Sequence, residues 1–361
     1  MKILNITKKF EHNIYGGVEN LVDSLCNELQ KKNIFSEVYT VKEKKTKKRN
    51  YKIFSDKLLI NVLSCPVSFK SLINFNRLKK NYDFFNFHFP WPFMDILSMF
   101  VPRKKIVITY HADIVKNNLF YYLYFPLMMI FLMRSKKIIV TSKNYLNSSK
   151  ILKYFNKKIV IIPIGIKKRN KLNNIKKNLR IYKYKEYFIF VGSLRNYKGL
   201  DYLIDAFSEL NTNLLIVGNG KEKKYINNKI KNIQNIKLII NTDEDNKFFL
   251  IRHSQALILP STDRREAYGI ALIEALSEKK TIISTKISSG TSFINRHNHT
   301  GIEIHPSNKD EIKYSVNKIQ NNKQLRKKFE KNSYSRYENT FKLEIMIKKY
   351  RNFFYKLKEI N

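Results

Sequence analysis

The sequence predicts an α/β protein of two domains, on three observations. Short β-branched runs of strand length recur along the whole chain, helical stretches with an apolar stripe lie between several of them, and a polar interval rich in Lys and Asn divides the runs into two series. Alternation of strand and helix is the pattern of parallel sheets covered by helices. At 361 residues the chain exceeds one ordinary core and suits two.

The first series of strands is predicted at Ile3 to Ile6, Glu37 to Val41, Leu58 to Val62, Phe84 to His88, Ile106 to Tyr110, Ile138 to Thr141 and Ile159 to Ile162. Between the first two, Glu19 to Lys31 carries Leu21, Val22, Leu25, Cys26 and Leu29 at helical spacing. Lys167 to Lys185 has no apolar period and reads as the linker. The second series follows at Phe188 to Val191, Asn213 to Val217, Ile236 to Ile240, Ala256 to Leu259, Thr281 to Ser284 and Gly301 to Ile304. Phe341, Ile345, Ile347, Tyr350, Phe353, Phe354 and Leu357 give the tail an apolar stripe that needs a surface to pack on. The expected domains are therefore 1–167 and 186–340, with 341–361 as a terminal helix.

Hydrophobic residues make up 43% of the chain, which excludes a disordered protein. The 69 Lys and Arg against 29 Asp and Glu give a formal charge of +40, enough to attract a polyanion or an anionic membrane surface. Lysine, asparagine and isoleucine are all abundant, so part of that excess is compositional. Clusters carry the remaining signal: Lys42, Lys44, Lys45, Lys47, Lys48 and Arg49 in one loop, and Arg103, Lys104 and Lys105 in another. Cys26 and Cys65 show neither metal spacing nor a disulfide framework, and read as core residues of a reduced protein. No secretory signal opens the sequence, so a cytoplasmic location is expected. The apolar run Leu119 to Met133 is shorter than a membrane span and is predicted to be a buried core helix. The competing reading lays its aromatic face in the headgroup region, beside Lys116, Arg134, Lys136 and Lys137.

Chemistry concentrates in Arg265-Glu266-Ala267-Tyr268-Gly269-Ile270-Ala271-Leu272-Ile273-Glu274. A helix starting near Gly269 points Glu274 the same way as Ile270, Ile273 and Ser277, into apolar surroundings where a carboxylate needs a partner. A vicinal diol of a ribose would suit it, donating two hydrogen bonds to two oxygens. Glu266 stands at the helix entrance, and the amides from Ala267 to Ile270 are placed to meet phosphate. Gly16 and Gly17 precede a helix and allow a second close approach of backbone to an anion. Arg195 and Lys198 follow the first strand of the second series, and His111 ends a strand of the first. No metal-ligand cluster is read in the sequence, so no metal site and no cofactor are expected.

These segments resemble the retaining family 4 glycosyltransferases, over most of the chain and in order. The resemblance is carried by Gly16-Gly17-Val18-Glu19, His88-Phe89-Pro90, Thr109-Tyr110-His111-Ala112-Asp113, Val140-Thr141-Ser142, Ile161 to Gly165, Phe190 to Leu200, Ile216 to Gly220, the Glu266/Glu274 pair and Gly290-Thr291-Ser292. It implies a GT-B fold, in which two Rossmann-like domains face each other across a cleft and the last helix returns to the N-terminal domain. It also implies transfer of a sugar from a nucleotide diphosphate to a sugar or lipid-linked acceptor, without metal, at the inner face of the cell membrane. Glu266, His111 and Lys198 become the catalytic candidates. Gly16, Gly17, Arg195, Lys198, Glu266, Ala267, Tyr268, Gly269, Ile270 and Glu274 become the donor-binding ones, and His88 and Asp113 belong to the acceptor side or to the framework. One departure stands out: Ser193 occupies a place where the family usually has arginine. The alternatives are a nucleic-acid-binding protein, which the charge and the 22 Tyr and 25 Phe would suit but for which no module is present, a sugar-nucleotide epimerase, and a silent sugar-binding homologue.

Overall fold

The computed structural model describes residues 1–8, 10, 16–41, 49–62, 65–114, 119–183 and 185–360. The chain divides into two compact units, Met1–Ile164 together with the segment from Met346 onward, and Gly165–Ile345.

In the first unit the order is β1 (Lys2–Ile6), α1 (Gly17–Gln30), β2 (Phe35–Val41), β3 (Ile53–Asp56), β4 (Ile60–Val62), β5 (Cys65–Val67), α2 (Lys70–Leu78), β6 (Phe84–Phe89), α3 (Pro92–Ser98), β7 (Ile106–Tyr110), α4 (Leu119–Arg134), β8 (Lys137–Val140), α5 (Lys143–Ser148) and β9 (Ile159–Ile161). Among the described residues seven strands form one parallel sheet in the order β3-β2-β1-β6-β7-β8-β9. The order reverses at β1, so the carboxyl ends of β1 and β6 flank a switch point where such sheets bind ligands. Coverage on both faces explains why every residue of β6 and β7 is buried, the polar Asn86, His88 and Thr109 included.

The second unit continues with β10 (Tyr187–Val191), α6 (Leu200–Ser208), β11 (Asn213–Val217), α7 (Lys223–Lys229), β12 (Ile236–Ile239), α8 (Glu244–His253), β13 (Ala256–Leu259), α9 (Ile270–Ser277), β14 (Thr281–Thr285), α10 (Thr291–Ile294), β15 (Gly301–Ile304), α11 (Lys309–Asn321) and α12 (Lys323–Arg336). Its six-stranded parallel sheet runs β12-β11-β10-β13-β14-β15, with the switch point between β10 and β13. Helix α13 (Leu343–Glu359) follows, and from Met346 it belongs to the first unit, where Phe354 lies against Phe84 at 5.6 Å between ring centroids.

Three expectations change. Leu58 to Val62 is not a strand of the parallel sheet: Ile53–Asp56 takes that edge beside β2, and Ile60–Val62 pairs antiparallel with Cys65–Val67. The reason is polar. The Asp56 carboxylate accepts from Tyr39 on β2 and from Asn74 on α2, an anchor that a search for β-branched runs overlooks. Lys167 to Lys185 is tied down on the second unit, with Arg169 bonded to Asp245 at 2.5 Å and the Lys176 amide donating to Asn246 at 2.9 Å. Helix α4 is not buried on all sides. Met128, Phe131 and Leu132 are in the core, but Tyr122, Leu123 and Met133 are 63%, 69% and 55% exposed.

Candidate active site

Two turns shape the switch point of the second unit. After β10 the chain runs through Arg195 and Lys198 to Gly199, at φ +68°, where a Cβ would lie 2.0 Å from the Pro260 carbonyl oxygen. That close approach clamps the β10 loop to the end of β13, helped by the Thr262 amide, which donates to the Tyr197 carbonyl at 2.8 Å. The second turn is Gly269, at φ +88°, which caps α9; the Leu272 amide returns to the Gly269 carbonyl at 2.9 Å, and the amides before it are among those that a helix start leaves without an intrahelical acceptor.

The clamp brings together two sequence-predicted residues. Lys198 Nζ bonds Glu266 Oε2, both side chains buried, and Ser261 Oγ donates to the same oxygen at 3.1 Å. Burial pushes the Lys198 ammonium down, but the Glu266 carboxylate beside it prevails and holds it above the ordinary lysine range. A protonated lysine and an α9 entrance thus sit at one strand end, a combination that favours negative charge. Ala267 and Tyr268 fill the turn, and the Ala267 carbonyl accepts the Gly290 amide at 2.9 Å, which gives Gly290 its place in the motif. Ile270 is half-buried and opens the helix. Arg195 is exposed on the same loop, and Ser193 is exposed beside it.

Glu274 points inward as the helical spacing requires and is 9% exposed. Its partner is Lys247 of α8, with Nζ at 2.7 Å from Oε1 and 2.8 Å from Glu244 Oε1. Burial raises the Glu274 carboxyl against the opposing pull of Lys247. Glu274 and Glu244 in turn keep Lys247 above the ordinary lysine range despite its burial. Sequence reasoning missed Lys247, which reads there as one more residue in the first turn of a basic protein's helix.

In the first unit His111 follows β7, its amide held by the Phe89 carbonyl at 3.1 Å. Its Nε2 meets Nδ1 of His88 at 3.0 Å. Burial lowers both imidazoles, His111 to about 4 and His88 well below its ordinary value with the His111 ring adding to the effect, so neither ring carries a charge at neutral pH. Asp113 accepts from Tyr110 and Ser149, at 2.9 and 2.8 Å, within the framework of this loop. Gly16 caps α1, and Gly17 is its first residue. The Glu19 carboxylate lies over that entrance, so close that a Cβ on Gly16 would be 1.9 Å from Oε2; an anion arriving there must displace it.

The charged surface divides. Lys42, Lys44, Lys45, Lys47, Lys48 and Lys116 lie outside the described residues. Arg49 is committed, 3.1 Å from Asp23 and stacked on Phe10. Arg103 and Lys104 are exposed. An open hollow of about 440 Å³ near the end of α4 is lined by Lys79, Lys80, Phe100, Lys105 and Arg134 among others. No helix among the described residues is long and apolar enough to cross a membrane. No group of three or more His, Cys, Asp or Glu able to hold a metal ion occurs among them either.

Comparison with known proteins gives concordant matches. Residues 15–169 match the family described as Glycosyltransferase Family 4, and residues 172–336 match Glycosyl transferases group 1. The O-antigen chain mannosyltransferase C of Escherichia coli is 31% identical over 99% of both chains. The D-rhamnosyltransferase WbpZ of Pseudomonas aeruginosa is 29% identical over 94% of this chain and 92% of its own. Among solved structures, Anabaena Alr3699/HepE in complex with UDP-glucose aligns with a TM-score of 0.77 at 14% identity, over 99% of this chain and all of the other.

Proposed function

The chain belongs to the family 4 glycosyltransferases, and from that premise we propose that it moves a sugar from a nucleotide diphosphate to an acceptor hydroxyl with retention of the anomeric configuration, in the assembly of a cell-surface polysaccharide. One observation carries the donor assignment: the buried Lys198–Glu266 pair beside the α9 entrance. The diphosphate rests on Lys198, Arg195 and the amides from Ala267 to Ile270; Glu274 accepts from the ribose diol, and Glu266 from sugar hydroxyls. Gly16 and Gly17 approach the phosphates only when Glu19 gives way, and His111 serves the donor sugar.

In the reaction the bond from the anomeric carbon to the phosphate oxygen breaks as the acceptor oxygen attacks from the same face. The acceptor proton passes to the departing phosphate. Lys198 and the helix amides stabilise the charge that develops there, which is where preorganised donors lower the barrier most. No protein nucleophile is assigned.

The acceptor is proposed to be lipid-linked and the enzyme to work at the inner face of the membrane. Support comes from the exposed apolar stripe of α4, from the basic hollow at its end and from the exposed Arg103 and Lys104 of the same unit. Each such cation near anionic lipid contributes about 1 kcal/mol.

A panel of UDP-, GDP- and ADP-sugars in a thermal-shift assay tests the reading. A bound donor at about 100 times its dissociation constant stabilises by ~2.7 kcal/mol, and NMR of the product formed with it reads the anomeric configuration. A panel in which no nucleotide sugar raises the melting temperature overturns the donor assignment.

A further inference from the structure

We propose that His88 is a positioning residue that holds His111 as the neutral imidazole with its proton on Nδ1, so that His111 offers its ligand an N–H and not a lone pair. The ligand half of this statement rests on the donor-side reading of His111; the tautomer half stands on the hydrogen bonds alone.

The sequence places the parts by a period of two. Asn86 and His88 share one face of β6, Thr109 and His111 follow the same rule on β7, and Asn5 of the neighbouring β1 completes the row. Asn5 and Asn86 are fully buried, as is nearly all of His88 and Thr109. Buried polar groups of this kind are held in fixed directions, because a donor without an acceptor costs about 1–3 kcal/mol.

The directions follow from a single group that can only accept, the Glu37 carbonyl. Asn5 Nδ2 lies 3.2 Å from it and 2.9 Å from Ser36 Oγ, which turns Asn5 Oδ1 toward Asn86. Asn86 therefore presents its amide nitrogen, at 3.0 Å from Asn5 Oδ1, and its own oxygen accepts from Thr109 at 2.7 Å. The second hydrogen of that amide points at His88 Nε2, 3.2 Å away, which must be unprotonated to receive it. The opposite choice, Nε2–H donating to Asn5 Oδ1 at 3.3 Å, would set two N–H groups against each other and orphan a buried donor. His88 thus carries its proton on Nδ1 and donates it to His111 Nε2 at 3.0 Å. His111 Nε2 is consumed as an acceptor, and its proton is left on Nδ1. No partner for Nδ1 is found among the described residues.

The chemical consequence separates two roles. A neutral ring with Nδ1–H outward donates a hydrogen bond to a sugar or phosphate oxygen and cannot act as a base at that atom.

The test is long-range 15N–1H correlation NMR on the full chain labelled at histidine, with ring assignments from His88→Leu and His111→Gln. The expected spectrum at about pH 7 shows His111 in the Nδ1–H form. In His88→Leu the His111 ring shifts toward the Nε2–H form, and the rate of sugar transfer falls about tenfold, the scale of one lost hydrogen bond. His88→Asn, whose Nδ2 can donate where Nδ1 did, restores both. An Nε2–H ring at His111 in the unmodified protein overturns the proposal, as does an unchanged His111 tautomer in His88→Leu. Should His88→Leu fail to fold, the unmodified protein alone still decides. The tautomer is read without any donor, so a failure of the nucleotide-sugar assignment leaves this result standing and recognisable as separate.

Discussion

Replacing Glu274 by Gln removes one charge and almost no volume, at a position where the structure separates folding from binding. Glu274 pairs with Lys247 at 2.7 Å, but Lys247 has a second carboxylate, Glu244, at 2.8 Å. The variant leaves that lysine paired, so stability should fall by only about 1–2 kcal/mol, well below the 3–5 kcal/mol of a buried charge stripped of every partner. Donor binding should suffer more. Hydrogen bonds to a charged group contribute about 1.5–3 kcal/mol each, against about 1 kcal/mol for neutral ones. Because Lys247 already engages one carboxylate oxygen, the lower figure applies: two bonds of about 1.5 kcal/mol give way to the one of about 1 kcal/mol that the single Gln oxygen keeps, a net loss of about 2 kcal/mol, or roughly 30-fold in the dissociation constant. Titration calorimetry with the nucleotide sugar chosen by thermal shift measures the affinity, and urea unfolding measures the stability. A Gln variant that binds the donor within about threefold of the unmodified protein would refute the ribose role. Lys247→Met supplies the contrast, since it strands Glu274 and should cost about 3–5 kcal/mol of stability.

Lys198→Met should abolish transfer and also destabilise, because among the described residues only Ser261 then bonds the Glu266 carboxylate; adding Glu266→Leu should restore stability in urea without restoring turnover, and recovery of both would make the pair purely structural. Acid should weaken the fold through His111. Its folded value of about 4 lies below the ordinary 6.5, so the unfolded chain takes up a proton that the native ring refuses, and stability is lost as the pH falls from about 6.5 to about 4. Over that window the contribution is on the order of 3 kcal/mol, and His111→Gln should show a correspondingly smaller loss in urea titrations at about pH 7 and about pH 5. Leu123→Glu combined with Met133→Glu on exposed positions of α4 should leave the melting temperature nearly unchanged and reduce sedimentation with vesicles containing anionic lipid; undiminished binding would remove α4 from the membrane-facing surface.

Much of this arrangement was legible before any coordinates. The runs that became β1, β6, β7, β10, β11, β13 and β14 stand out because a parallel strand covered on both faces is mostly apolar and β-branched or aromatic, as in Ile106 to Tyr110. Ile53–Asp56 escaped because an edge strand can be held by a carboxylate, and hydropathy is blind to the Tyr39 and Asn74 that hold Asp56. The inward turn of Glu274 follows from helical spacing, whereas its lysine comes from another helix, 27 positions earlier, and nothing local marks it. Asn86 and His88 did carry a signal, two polar side chains on one face of an otherwise apolar strand. Their directions required the Glu37 carbonyl, a backbone atom that no side-chain pattern encodes.

The membership of α13 in the first unit bears on how the protein is made. Residues from Met346 onward supply Tyr350, Phe354 and Leu357, all buried, to a body whose other parts end at Ile164. On the ribosome the N-terminal sheet therefore emerges long before the segment that finishes it, and Phe84 waits without its aromatic neighbour while the whole of the second unit is translated. A nascent chain halted before Met346 should accordingly bind chaperones and resist refolding, though its second unit is already complete.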